Sequence, residues 1–245
     1  MKPFFFLIFI LYALNSCGPK NIEFDIISFS AKTPKYYPDS IGHQSWMKKN
    51  EYVSHKDIKV ELGQSRYGGP IIDLPKGMEY PKGLYYAGQI DLAEFSIYDK
   101  SNLLPKKGQL IFFTNHYMTQ GKVIYSDVPN SSLVRHIVQQ DINFWDGILI
   151  EKIKADKENW QDRFTGLLSE WNYVAGTNQS KIFGIFTHCQ LHQEENEAYT
   201  FSDRVVLFQA GENGFNNEGV FSILIKKEDL KNRNFDNCEF FWGQT

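Results

Sequence analysis

Cysteine is scarce in this chain: three in 245 residues, Cys17, Cys189 and Cys238. That is too few for a disulfide scaffold, and the spacing lacks the close pairs of a structural zinc site. Positive charge is not in excess either. Lys and Arg number 26 against 29 Asp and Glu, a net charge of −3, so there is no basic footprint for a phosphate backbone and nucleic acid is excluded as the expected partner. Catalytic signatures are missing as well. There is no G-x-S-x-G elbow, and no spacing ties His116 or His136 to a Ser or Cys. Gly68-Gly69-Pro70 is followed by neither the helix nor the lysine of a phosphate-binding loop. Paired carboxylates of the kind that hydrolyse sugars are distant in sequence and leave no local mark.

Long apolar runs are lacking too, and the exception is short. Phe4 to Leu14 is unbroken, with Lys2 before it, but it is about half of the roughly 20 residues that a spanning helix needs. It fits the apolar region of a secretory signal. Leu14, Asn15 and Ser16 then lead into Cys17, an order that resembles the bacterial lipobox, in which the thiol accepts a diacylglyceryl group and cleavage falls just before the cysteine. Cys17 is therefore the expected lipidation site and membrane anchor, since each buried methylene of an acyl chain contributes about 0.8 kcal/mol. Gly18 rather than Asp follows it. By resemblance to known sorting rules this favours the outer membrane, facing the periplasm, in a diderm host. The expected organisation is a signal peptide over 1–16, a tether and extension over 17–59, and a folded domain over 60–245.

What is abundant is aromatic and glycine residues: 20 Phe, 13 Tyr and 18 Gly. With only short apolar bursts, they favour strands and turns. Strands are expected at Leu84–Leu92, from Gly108 to Phe113, Lys122–Tyr125, Arg204–Ala210 and Gly219–Ile225. Between them Trp160, Phe164, Leu167, Leu168, Trp171 and Val174 fall on one face of an amphipathic helix around 156–175. A weak repeat links the two strand-rich parts. Tyr67-Gly68, Gln89 and Gly108 recur in order as Phe183-Gly184, Gln209 and Gly219. The expected fold is α+β and β-rich, with mainly antiparallel sheets in two similar lobes that share one core.

Gln89 and Gln209 each interrupt an apolar strand, where a side-chain amide must find partners. They either bond the backbone of nearby turns or line a ligand cleft, and Asp91, on the same strand face as Gln89, shares either role. His188 and His192, four residues apart with Cys189, Glu194 and Glu195 nearby, are the candidate metal ligands, since a helix would put both rings on one face. The alternative is a solvated loop with incidental histidines. Cys189 and Cys238 are either a disulfide of an oxidising compartment or two separate thiols. The five Trp residues are read as core, with glycan stacking as the alternative.

Gly68-Gly69-Pro70, Leu74-Pro75, Tyr80-Pro81, Gln89-Ile90-Asp91-Leu92, Leu104-Pro105, Gly108, Leu110, Phe112 and Phe113 form a succession over the first part of the domain. Lys181, Gly184, Gln190, Leu207-Phe208-Gln209, Gly219 and Asp229-Leu230 continue it. Together they resemble the YwqG-like family of bacterial domains of unknown function, with Tyr80 where the family usually has Trp. The resemblance implies an α+β fold rich in antiparallel strands and brings no reaction, cofactor or catalytic residue. Some relatives sit near toxin and immunity genes, which implies an interaction role. The expectation is an envelope lipoprotein acting as a non-enzymatic binding or interaction module, with no cofactor. Its expected partners are the membrane, through the anchor, and an envelope protein. The alternative is an envelope hydrolase, metal-assisted through His188 and His192. Oligomeric state is left open.

Overall fold

The computed structural model describes residues 22–32, 60–137, 147–163, 178–216 and 218–244. The strands in chain order are β1 (Glu23–Lys32), β2 (Arg66–Tyr67), β3 (Ile71–Pro75), β4 (Tyr85–Asp91), β5 (Gln109–Thr114), β6 (Gly121–Ser126) and β7 (Leu133–Ile137). They continue with β8 (Ile148–Asn159), β9 (Lys181–Ile182), β10 (Arg204–Ala210), β11 (Val220–Lys226) and β12 (Glu239–Gly243). Short helices are α1 (Leu92–Ser96), α2 (Gln193–Thr200) and α3 (Lys227–Lys231). The apolar bursts at 84–92, 204–210 and 219–225 thus form strands within a residue or two of their expected limits.

Ten strands form one antiparallel sheet in the order β12-β11-β10-β9-β1-β8-β2-β4-β5-β6, and β3 pairs with β7 in a second, two-stranded sheet. The large sheet curls until its edges meet. A Cβ on Gly121 in β6 would lie 2.6 Å from the Phe240 ring in β12, and Tyr125 packs on Phe235 with ring centroids 5.5 Å apart. The nearly closed barrel removes most of the exposed strand edge that an open sheet would present. Its interior is aromatic. Phe29 lies 5.7 Å from Phe95, 5.6 Å from Phe208 and 5.7 Å from Phe215, so residues of both halves of the chain pack in one cluster. A second cluster, including Ile72, Leu74, Tyr86 and Phe113, lies where the small sheet covers the barrel.

The sheet order is a repeat. β2-β4-β5-β6 runs outward on one side of the β8–β1 pair and β9-β10-β11-β12 on the other. Matching positions carry matching contacts. Arg66 pairs with Gln89 across the strands, and Lys181 with Gln209. The register skips one residue two positions before each glutamine, Ala87 between Tyr86 and Gly88 and Leu207 between Val206 and Phe208. Ser65 Oγ accepts from Asp91 N at 2.9 Å, and Ser180 Oγ from Gly211 N at 3.0 Å. Gly108 and Gly219 both have positive φ, 96° and 83°, and a side chain at either would collide with the carbonyl of Ser126 or Gly243, so glycine is required there. The two similar lobes are therefore tandem halves, and the matching turn is Gly68-Gly69 with Phe183-Gly184, one residue away from the register that the sequence alone offers.

The halves exchange their first strands. β1 pairs with β9 of the second half, and β8 with β2 of the first. Two findings correct the sequence reading. The stretch 17–59 expected as tether and extension contains β1, a central strand. The amphipathic helix expected around 156–175 does not begin at Asp156: Ile148–Asn159 is β8, paired with β1 from Lys32↔Leu149 to Glu23↔Asn159. Gln161–Arg163 then form a 3-10 turn, and residues 164–175 lie outside those described. Pairing with a central strand thus takes up Asp156–Asn159, and Trp160, the first of the periodic residues, follows the strand and packs on Phe201, 5.0 Å away.

Because each half holds a strand of the other, the barrel should unfold as one unit. Urea denaturation followed by tryptophan fluorescence and by circular dichroism should give coincident single transitions, and a fragment of residues 148–245 alone should show no cooperative transition. Two separated transitions, or a folded fragment, would contradict the exchange.

Candidate functional site

A cleft of about 340 Å³ opens at the start of β1. Its walls are Glu23–Ile27 of β1, the loop after α1, the turn at Phe183-Gly184, Thr200 at the end of α2, Arg204 and Val205 of β10, and Lys227. The loop after α1 is held by Asp99, a buried carboxylate that accepts from Ser101 N at 2.9 Å and Leu104 N at 2.7 Å. Its buried apolar lining residues include Ile27 and Phe183, with Phe24 and Leu103 half-buried, and the charged residues around them carry both signs. Lys100 bonds Asp25 at 2.7 Å and holds that carboxyl below its ordinary value. Arg204 pairs with Glu239, which holds its guanidinium in the charged form.

The turn in this wall is clamped from below. Lys181 and Glu158 are an almost fully buried ion pair. Lys181 Nζ also donates to the Ile185 carbonyl at 2.7 Å, and Glu158 accepts from Ile185 N at 2.8 Å. Within the turn Phe183 has φ 67°, the same value as Gly68 at the matching position of the first half. That left-handed conformation costs a non-glycine residue about 1–2 kcal/mol. The Phe183 ring, 8% exposed and packed in the core cluster, offsets the cost, since burying such a ring contributes about 1.5–3 kcal/mol. The second half thus puts an aromatic ring in the lining of its cleft where the first has a bare backbone.

The residues singled out from sequence fall elsewhere. Gln89 is buried, and its Oε1 accepts from Arg66 at 2.7 Å and from Asp73 N at 3.2 Å. Its Nε2 donates to Gln109 at 3.0 Å, Gln109 donates to Asn130 at 2.8 Å, and Asn130 donates to Asp91 at 2.7 Å. Gln89 and Asp91 therefore belong to one relay, and Asp91 also caps α1 through Ala93 N. Gln209 is in the other half, where its Nε2 donates to the Gln179 carbonyl at 2.8 Å and its Oε1 accepts from Ser222 at 3.4 Å. The structure brings Gln89 and Asp91 together and keeps Gln209 apart from them, and none of the three lines the cleft.

His188 and His192 do not share a helix face, because α2 begins only at Gln193. Asn196 fixes the segment before it, accepting from His188 N at 2.9 Å and donating to the His188 carbonyl at 3.2 Å. His188 is buried against Phe186 and Phe241, and burial pulls its ring below the ordinary histidine value, so the neutral form is favoured. His192 is exposed at the helix start. Among the described residues no group of three or more His, Cys, Asp or Glu is placed to hold a metal ion. Cys189 and Cys238 are free thiols, and burial pushes them up to about 11 and about 12. Cys17 lies outside the described residues.

Sequence reasoning missed the buried charges. Asp73 in β3 sits between Arg66 of β2, 2.8 Å away, and Arg135 of β7, also 2.8 Å, and so pins the small sheet to the barrel. A local signal existed: Ser65-Arg66-Tyr67-Gly68-Gly69 and Ser180-Lys181-Ile182-Phe183-Gly184 are the same Ser-cation-apolar opening.

Two variants test this description. Burial alone would raise the Asp73 carboxyl, but the hydrogen bond from Arg135, the Arg66 charge and the Gly63 amide outweigh it and hold the group below its ordinary value. With the folded value below the unfolded one, near 3.9, stability is present at neutral pH and lost as pH falls through the folded value. Asp73→Ala should cost about 3–5 kcal/mol in urea denaturation at pH 7, because Arg66 stays buried and uncompensated, and should flatten the acid limb of the stability profile. For Phe183, both Ala and Gly should destabilise by several kcal/mol through loss of the ring. Phe183→Gly should nevertheless be more stable than Phe183→Ala by about 1 kcal/mol, since only glycine escapes the φ cost. The reverse order would remove the strained turn.

A comparison with curated proteins finds no match. The family model for the domain of unknown function DUF1963 matches residues 65–243, from Ser65 beside the first buried cation to the last residue of β12, and the chain belongs to that family.

Proposed function

We propose that the chain is a non-enzymatic binding module of the cell envelope, and that its ligand enters the cleft lined by Phe183. The observation that carries this reading is the cleft itself: an apolar, partly aromatic lining together with Asp25, Lys100, Arg204 and Lys227. Apolar surface with a few placed charges is the character of a recognition pocket, and charges of both signs suit a ligand that also carries both, such as a short peptide. Elsewhere the groups best equipped for chemistry are tied into structure. Arg66, Asp73 and Arg135 hold a sheet, Lys181 and Glu158 hold a turn, and the thiols are held in their unreactive protonated form. The hydrolase alternative gains nothing from His188, whose Nδ1 accepts from Gln190 N at 3.3 Å. Within its family we place the chain among the YwqG-like members, on the turn and strand motifs quoted above. We further propose that Cys17 carries the lipid anchor, on the periplasmic side of the outer membrane in a diderm host, on the strength of the apolar run and Ser16 before it.

The mature protein in mild detergent can be titrated with a panel of synthetic short peptides and followed by thermal denaturation. A binding peptide should raise Tm, Lys227→Glu should abolish the rise, and mass spectrometry should recover the peptide intact. Cleaved peptide would overturn the non-enzymatic reading, and rises unaffected by Lys227→Glu would move the site elsewhere. Metabolic labelling with palmitate should mark the wild type and not Cys17→Ala.

A further inference from the structure

The end of the barrel that holds the cleft also carries an aromatic cluster. Trp160 donates its backbone N–H to the Ile22 carbonyl at 2.9 Å, just before β1 begins. Its ring lies 5.0 Å from Phe201, and Phe201 lies 5.8 Å from Phe24. Phe201 is 47% exposed, an unusual surface position for so large an apolar ring, and Phe24 and Trp160 are half-buried beside it. The pairing of Glu23 with Asn159 brings the start of β1 and the end of β8 to this one edge.

Chain length fixes where this edge can be. Ile22 is five residues from Cys17, and at no more than about 3.6 Å per residue the connection spans at most about 18 Å. A lipid on Cys17 therefore keeps the start of β1 within that distance of the bilayer surface. Tryptophan and phenylalanine beside such an attachment have the character of interfacial anchors, whose rings sit at headgroup level. Nearby lysines are matched by acids: Lys157 with Glu23, Lys154 with Asp156, Lys100 with Asp25. The edge is close to neutral, which suits contact driven by ring burial more than by attraction to anionic lipid.

We propose that the edge formed by Phe24, Trp160 and Phe201 rests in the headgroup region of the membrane that holds the anchor, so that the cleft opens along the bilayer surface. This inference rests on the Cys17 anchor of the proposed function. It gives the protein a fixed orientation and gives its ligand a route of entry along the membrane.

The test uses the lipidated full-length mature protein in vesicles of phosphatidylethanolamine and phosphatidylglycerol, with and without lipids brominated near the headgroup. Bromine should quench the Trp160 emission of the wild type, and that share of the quenching should be lost in Trp160→Phe. Phe201→Asp, at an exposed position, should keep its thermal transition and lose the same share of quenching. Equal quenching in wild type and Trp160→Phe would overturn the proposed orientation. Palmitate labelling of the same preparation separates the two readings. Label with equal quenching sinks the orientation alone, and absence of label removes the tether argument and sinks both. Raising salt to 0.5 M should leave the quenching unchanged, and its loss would refute contact by ring burial.

Discussion

Everything else in this barrel depends on the antiparallel ladder between β1 and β8. By order in the chain these are the first strands of two similar halves, yet each pairs with the short strand of the other half, β1 with β9 and β8 with β2. The ladder is therefore both the centre of the sheet and the joint between the halves. It also fixes the core. Phe29 on β1 makes edge contacts of the same kind with Phe95 of the first half and Phe215 of the second, with interplanar angles of 82° and 79°. Neither half can complete its share of this aromatic cluster alone, and burial of such rings supplies much of the stabilisation available to a chain of this size.

On this symmetric frame the halves diverge at the same point, the cation beside each glutamine. Arg66 and Lys181 occupy matching positions and both are fully buried. A buried ion pair contributes little net stability compared with apolar residues of the same volume, so what matters is where each pair holds the chain. Arg66 spreads its planar guanidinium over Asp73, Gln89 and the Ile71 and Gln64 carbonyls, a fork only arginine can offer. It ties β3 and β7 down as a lid on one half. Lys181 is a point charge with a smaller reach. It gathers Glu158 and the Ile185 carbonyl and secures a tight turn that leaves a cleft open. The same slot thus closes one half and shapes the open end of the other.

How much of this could be read from the sequence follows from the range of the forces involved. Strands β4, β10 and β11 were legible because their apolar runs are local and bounded by Gly and Pro. The repeat was legible through Gln89 and Gln209, polar residues in apolar strands, but aligning on the aromatic-glycine pairs put the turn one residue out of register. The Ser-cation pairs at 65–66 and 180–181 would have corrected it. β8 was not legible, because its charged sequence, with Lys152, Lys154, Asp156, Lys157 and Glu158, has little strand character until β1 is laid beside it. β1 itself lay in a stretch whose Pro and charge content reads as linker. Arg135 is 62 residues from Asp73, and no spacing rule reaches that far. The cleft is built from six separate segments, each ordinary alone, so only the fold could show it.

Phe183 shows why the cleft is more than a gap left by imperfect closure. A duplicated turn needs a left-handed residue, and Gly68 satisfies that need in the first half at no cost. At the same φ the second half has phenylalanine, a choice unfavourable for the backbone by about 1–2 kcal/mol and tolerable only because the ring is buried. Had packing been the sole requirement, the ring could have come from a neighbouring strand position without strain. Its place in the turn follows Ile182, which pairs with Ile27 of β1, and puts it among the residues that line the cleft with Asp25 and Arg204. The strain thus lies in the wall of the cleft, at the turn where the second half departs from the glycine of the first, and on the binding reading proposed for the cleft this turn, more than the buried glutamines, is the position at which changes of residue should alter affinity.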